Sequence, residues 1–234
     1  MSAGVRSVDG FIRLLKHSPA RAVFNPWWQV DREHDADPHA PRIRRRNLRA
    51  YLRHRIGTAG IAIIGEALGY RGGHFSGIPM TSERMLLGKI ESVEPRRIVP
   101  GITPRRTSKI NQCAAGFSEP TATIVWGTLF DMGIGPEEFV LWNAFPWHSF
   151  DPRRGLLSNR MPNKTECTAG LSILKAFIDL FPCKRTVALG KIASGQLKQV
   201  HIDAACVRHP ASGGARLFRD QMAKLLCSAS RPDQ

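Results

Sequence analysis

Three side chains of different chemistry stand just after apolar runs in this sequence: Glu66, Asn143 and His209. A carboxylate accepts hydrogen bonds and favours nearby positive charge. An amide donates and accepts at once, and a neutral imidazole does either, according to its tautomer. Glu66 lies in the run Gly65-Glu66-Ala67-Leu68-Gly69-Tyr70-Arg71-Gly72-Gly73-His74-Phe75-Ser76-Gly77-Ile78-Pro79-Met80, whose glycines permit close backbone approach to a ligand. Asn143 opens Asn143-Ala144-Phe145-Pro146-Trp147-His148, followed further on by Ser158-Asn159-Arg160-Met161-Pro162-Asn163-Lys164-Thr165-Glu166. A third such place reads Leu189-Gly190-Lys191-Ile192-Ala193, and a fourth Arg208-His209-Pro210-Ala211-Ser212-Gly213-Gly214. The glycine run contains neither G-x-G-x-x-G nor a Gly-Lys-Ser/Thr ending, so two common nucleotide-binding signatures are excluded.

The elements that must position these residues follow from hydrophobic pattern. Apolar runs at 60–64, 139–142, 185–189 and 200–207 predict buried strands, and helical periodicity separates them near 81–91, 120–132, 164–180 and 191–198, with a last helix at 214–227. Such alternation predicts an α/β fold, a parallel sheet covered on both faces. Ligands of open parallel sheets bind beyond the carboxyl ends of the strands, where Glu66, Asn143 and His209 fall. Residues 5–17 fit a short amphipathic helix, and 25–41 a loop anchored by Trp27 and Trp28. Between 42 and 56 stand Arg42, Arg44, Arg45, Arg46, Arg49, Arg53 and Arg55 with no acid among them. As a helix this segment turns Arg42, Arg45, Arg46, Arg49 and Arg53 to one side and Leu48, Leu52 and Ile56 to the core. Residues 92–118, with three prolines and several basic side chains, are expected to form a long functional loop.

The chain has 234 residues, 34 Lys and Arg against 19 Asp and Glu, and a net charge of +15. This length suits one domain, 1–234, with N-terminal helices and a basic segment (1–56), a core (57–227) and a tail (228–234). The charge points to a polyanionic partner, since Lys and Arg displace counterions from a phosphate backbone. Five cysteines without a C-x-x-C pair read as reduced thiols in a cytoplasmic or other reducing compartment, not as a disulfide framework or zinc ribbon. Neither a signal peptide nor a membrane span is expected. The segment His34-Asp35-Ala36-Asp37-Pro38-His39 has metal-ligand types but no regular element to fix them, so no metal site is expected there.

The order Gly-Glu-Ala-x-Gly, strand-Asn, Asn-Arg-x-Pro-x-x-x-Glu, Leu-Gly-Lys-x-Ala, His-Pro-x-Ser over about residues 60–225 resembles the uracil-DNA glycosylase superfamily, and most of all the branch whose first motif reads Gly-Glu-Ala-Pro-Gly. The resemblance implies a three-layer α/β/α sandwich with a short four-stranded parallel sheet. It implies a monofunctional enzyme that flips uracil out of DNA and hydrolyses its N-glycosidic bond, starting base-excision repair. Two departures stand out: Leu68 replaces the motif proline, and the close N-terminal cysteine pair required by that branch's four-cysteine iron–sulfur cluster is lacking, so no cofactor is expected.

The family's site residues carry over by position. Asn143 would read uracil, accepting from N3–H and donating to O4, the reverse of what cytosine presents. His209 would donate to the base oxygen on which charge develops, and Glu66 would orient or activate water. Backbone N–H groups around Glu66, Ala67 and Gly69 would contact O2. The base-stacking position falls at Met80, with Phe75 or Tyr70 as substitutes, and Tyr70 or His74 would exclude the thymine methyl group. His74 and His148 are further candidates for the chemistry. Ser212, Gly213 and Gly214 would approach phosphates, and Arg216 or Leu217 would fill the gap left by the flipped base. Within 92–118, Arg105 and Arg106 would clamp DNA, unless the loop only covers the sheet edge. It holds no histidine, so turnover is expected and not covalent trapping of the sugar. Asn159, Arg160 and Glu166 are expected to be structural, with Thr165 or Asn163 capping the helix from 164. The partner is uracil-containing DNA and the protein a monomer. The alternatives are a glycosylase for hypoxanthine or xanthine, and a weakly catalytic DNA-binding protein on the same fold.

Overall fold

A computed structural model describes residues 7–19 and 21–227. Its elements run α1 (Val8–Leu14), β1 (Val23–Phe24), α2 (Ala40–Arg53), β2 (Ile61–Leu68), α3 (Gly73–Ser76), α4 (Glu83–Leu86), α5 (Pro95–Ile98), α6 (Pro120–Asp131), β3 (Phe139–Ser149), α7 (Lys164–Leu180), β4 (Arg185–Leu189), α8 (Lys191–Gln199), β5 (Ala205–Val207) and α9 (Ala215–Cys227). The sheet has five strands in the order β1-β3-β2-β4-β5. Four are parallel, as the alternation predicts; the fifth, β1, is a two-residue antiparallel edge pairing Val23 with Ser149 and Phe24 with His148. So short a strand carries no periodicity and was invisible in the sequence.

Other boundaries differ from the sequence reading for physical reasons. The helical pattern at 81–91 closes into a single turn, α4, which Ser82 caps by accepting from the Met85 N–H. The apolar run at 200–207 contributes only Ala205–Val207 to the sheet. Strands β2 and β3 extend well past their apolar runs, so Glu66 and Asn143 lie within strands and not after them. β2 pairs with β4 only as far as Ile64↔Ala188, but with β3 as far as Leu68↔His148, with a register shift between Ala67 and Leu68. Beyond Ile64 the sheet therefore opens between β2 and β4. Here, too, the winding reverses, since β3 lies on one side of β2 and β4 and β5 on the other.

The core forms on both faces of β3. Trp142 stacks on Phe177 of α7 at 4.9 Å and meets Phe11 of α1 edge-on at 5.0 Å. On the other face Trp126 of α6 packs edge-on against Phe139 at 4.9 Å. Each such ring, wholly buried, contributes about 1.5–3 kcal/mol relative to exposure. Helix α7 starts with a capping box: Asn163 accepts from the Glu166 N–H, and the Glu166 carboxylate accepts from the Asn163 N–H. Glu166 also pairs with Arg160 at 2.7 Å, and Asn163, not Thr165, is the cap, so Glu166 is structural. Asn159 and Arg160, expected to be structural too, instead line a cavity together with Glu66 and Asn143.

Helix α2 covers the free edge of β3. Tyr51 Oη accepts from the Leu141 N–H at 2.7 Å, and Arg55 Nε donates to the Phe139 carbonyl at 3.1 Å, which satisfies groups an uncovered edge would expose. Two of the seven arginines expected to form a charged series are thus buried. Arg55 donates to the carbonyls of Tyr51, Ile98 and Phe139, and Arg44 pairs with Asp35 and donates to the Pro26 carbonyl at 3.0 Å. Ile56, expected in the core, follows the end of the helix and is 38% exposed.

Candidate active site

The opening between β2 and β4 leads into a cavity of about 390 Å³ whose wall includes Gly65, Glu66, Met80, Asn143 and His209. Sheet register brings the first and fourth together, because Gly65 is the direct neighbour of Asn143. A Cβ at Gly65 would lie 2.6 Å from the Asn143 side-chain amide and 3.2 Å from Met80 Sδ, so only glycine admits both side chains. Asn143 is buried, and its surroundings orient the amide: the oxygen accepts from the Leu68 N–H at 3.2 Å and the nitrogen donates to the Trp142 carbonyl at 3.3 Å. An amide has two donor hydrogens and two acceptor lone pairs, so one of each remains for a ligand.

Glu66 and His209 also line a second cavity, of about 490 Å³, and so form the partition between the two. Gly190, at φ +88°, lies beside both: a Cβ there would stand 3.0 Å from Glu66 Oε1 and 3.6 Å from His209 Cβ. Burial raises the Glu66 carboxyl above its ordinary value. His209 Nδ1 is 3.1 Å from the Ala211 nitrogen and accepts its N–H, which leaves Nε2 as the ring's donor. Burial, seconded by the Arg208 charge, holds the imidazole below its usual pKa and therefore neutral at pH 7.

The sequence missed Glu119. It precedes Pro120 at the start of α6 and lines the same cavity as Glu66 and Asn143. Its Oε2 is buried with no hydrogen-bond partner among the described residues and occupies the place that a Cβ on Gly72 would fill. Burial pushes its carboxyl up to about 7. The one signal was an acid placed directly before a helix-opening proline; its approach to the glycine run is a tertiary event.

The other expected residues divide. Met80 lines the cavity, held at φ +48° with its carbonyl accepting from Trp126 Nε1 at 3.1 Å; Ala67 and Gly69 line it too. Phe75 does not: it is fully buried and stacked on Phe117 at 4.4 Å. Tyr70 leans on Phe117 at 6.4 Å, its hydroxyl accepts from Arg71, and its N–H donates to Asn159 Oδ1 at 3.0 Å; its ring is not part of the cavity wall. His74 and His148 stand apart as well. They form a buried chain in which His74 contacts Asp31 at 3.1 Å and His148 at 3.1 Å, and His148 Nε2 donates to the Ser158 carbonyl at 2.8 Å. Ser212, at φ +53°, and Gly213 are exposed on the loop after His209, while Gly214 is packed so closely that a Cβ would meet the His209 carbonyl at 2.1 Å. Arg216 is exposed in the first turn of α9, and Leu217, 50% exposed, lines the second cavity. Arg106 turns inward, donating to the Cys113 carbonyl at 2.9 Å, whereas Arg105 stays exposed. Among the described residues no His, Cys, Asp and Glu group has metal-binding geometry; Asp35 is spent on Arg44. No described helix is long and apolar enough to cross a membrane.

A parallel sheet with a polar cavity at its reversal point, walled by a carboxylate, an amide and a neutral imidazole, defines an α/β enzyme that handles a small polar group. The Uracil DNA glycosylase superfamily matches residues 55–226, and the chain belongs to it. It is accordingly a DNA glycosylase, a hydrolase of N-glycosyl bonds in DNA repair. Among solved structures it is similar to "The crystal structure of WT Pedobacter heparinus SMUG2", with a TM-score of 0.56 and 12% identity over 94% of this chain and 97% of that one, a likeness of fold. No curated protein matches the sequence.

Proposed function

We propose that the excised base is uracil, flipped from DNA into the cavity of about 390 Å³, and that the protein acts as a monomer without a cofactor. One observation carries the reading: Asn143, Glu66 and His209, distant in sequence, line a single cavity beside Gly65. The free donor and acceptor of the Asn143 amide meet O4 and N3–H of uracil, and cytosine offers the opposite pair. Water adds to the sugar carbon and gives up a proton to the Glu66 carboxylate, while the electron pair of the broken bond leaves on the base. Glu66 holds that water and favours the cationic sugar; His209 donates from Nε2 to the oxygen on which negative charge collects. Ala67 and Gly69 supply backbone to the other edge of the base, and Met80 covers its face. The loop Ser212–Gly213–Gly214 and Arg216 meet the phosphates.

A second reading, excision of hypoxanthine or xanthine, draws support from Met80, since an unbranched thioether adapts to bases of different shape. Labelled duplexes carrying uracil, hypoxanthine or xanthine, incubated with the protein and cleaved with alkali, separate the two. Uracil excision at least tenfold faster than the others supports the first; preferential release of a purine overturns it.

A further inference from the structure

The outer side of α2 carries a groove unconnected with the base cavity. Its first part, of about 720 Å³, is lined by Arg42, Arg45, Arg46, Arg49 and Arg105, and no carboxylate is among its lining residues. A second part, of about 570 Å³, shares Arg45 and Arg49 and adds Arg13 and Arg53. Asp9 neutralises part of this charge, 2.5 Å from Arg49 and 2.6 Å from Arg53. Arg45 is folded onto the Trp27 carbonyl and the Trp28 ring, 4.9 Å from its centroid. Arg42, Arg46 and Arg105 form no ion pair among the described residues and are exposed. Arg105 arrives from the 92–118 loop, which Glu83 pins by accepting from the Thr107 and Ser108 N–H groups at 2.7 and 2.9 Å. The groove thus draws on α1, α2 and the 92–118 loop, three segments far apart in sequence.

We propose that this groove binds the phosphate backbone of duplex DNA away from the flipped base. Arg42, Arg46 and Arg105, which Asp9 does not reach, repel one another, and an anionic ligand relieves that cost. Burial, and after it the charges of Arg49 and Arg42, hold the Arg45 guanidinium below its ordinary pKa. The direction of α2 fits. Its first half packs against Gly77, in the glycine run that follows β2, and Arg55, past its last turn, reaches the start of β3, so the helix runs along the flank of the sheet toward the amino end of its strands. From Arg42 to Arg53 the rise is roughly 16 Å at 1.5 Å per residue, about five nucleotides of one strand. The proposal rests on the chain being a DNA glycosylase and not on which base it removes.

The test measures binding of an undamaged 30-base-pair duplex over a range of salt concentrations, for the full chain and two double variants of equal net charge. Arg42→Gln with Arg46→Gln removes groove charge; Lys184→Gln with Lys198→Gln removes exposed charge elsewhere. The groove variant is expected to flatten the slope of log K against log salt by about 1.8, roughly 0.9 per lost phosphate contact, and to bind at least tenfold more weakly at low salt. The lysine variant is expected to keep the parent slope. An unchanged slope in the groove variant, an equal loss in both, or a loss seen with duplex RNA but not DNA overturns the proposal. Because the duplex contains no uracil, failure of the uracil reading leaves this result unaffected.

Discussion

The Ala211 N–H donates to His209 Nδ1 at 3.1 Å. This one bond sets the tautomer of the ring: Nδ1 must be bare, so Nε2 carries the hydrogen. A neutral imidazole with a fixed donor suits a leaving group that departs as an anion, because it stabilises charge without having to transfer a proton. His209→Ala should lower single-turnover excision about 10²–10³-fold, the usual loss of one donor to a developing oxyanion, while the melting temperature and affinity for undamaged DNA stay near the parent's. Undiminished excision would remove His209 from the chemistry.

Asn143→Asp should lose at least about 100-fold in excision. The change replaces an amide nitrogen that donates to the Trp142 carbonyl with a carboxylate oxygen that cannot donate. Circular dichroism and binding to undamaged duplex check that fold and DNA contact persist.

Gly190→Ala probes the partition between the two cavities. At φ +88° a side chain costs about 1–2 kcal/mol, and its Cβ would press on Glu66 Oε1 at 3.0 Å. The expected result is a modest fall in stability by urea titration with a larger proportional fall in kcat, since the carboxylate is displaced.

Glu119 makes stability depend on pH. Its folded pKa of about 7 lies above the ordinary 4.5, so the folded state binds the proton more tightly than the unfolded state. Stability should therefore fall as pH rises from about 4.5 to about 7, and the penalty is complete above that. Glu119→Gln, which cannot ionise, should be more stable than the parent at pH 8 by at least about 1 kcal/mol and should lose that slope. Urea titrations at pH 5 and pH 8 read both quantities.

The buried histidines act in the opposite sense. Burial lowers His74 to about 3 and His148 to about 4 from 6.5, so between those values and 6.5 the unfolded chain binds protons that the folded chain refuses. Stability should fall as pH drops below 6.5, by up to about 1.4 kcal/mol per pH unit for each ring. Burial pushes the Asp31 carboxyl up, but its contacts with His74 and then His34 outweigh that and lower it to about 2, so it adds stability that persists above 3.8 and is lost as pH falls toward 2. His148→Gln should make the acid limb of the stability profile shallower between pH 6 and pH 4; an unaltered limb would count against this assignment.

The sequence by itself determined the alternation of strand and helix, a capped start for α7 between Asn163 and Thr165, and the glycine run, and the order of its motifs pointed to Glu66, Asn143 and His209 as the set to look for. Periodicity, cap chemistry and each motif taken singly are local matters, read within a few residues. Tertiary structure decided the rest. It added the two-residue strand β1 and carried β2 and β3 past their apolar runs, because pairing between neighbours and not composition ends a strand. It buried Arg44 and Arg55, since a guanidinium can leave water when carbonyls or a carboxylate of other segments meet it. It sealed Phe75 under Phe117 and brought Glu119 against Gly72. Burial and contact depend on segments meeting across long stretches of chain, and no local pattern records which segments meet.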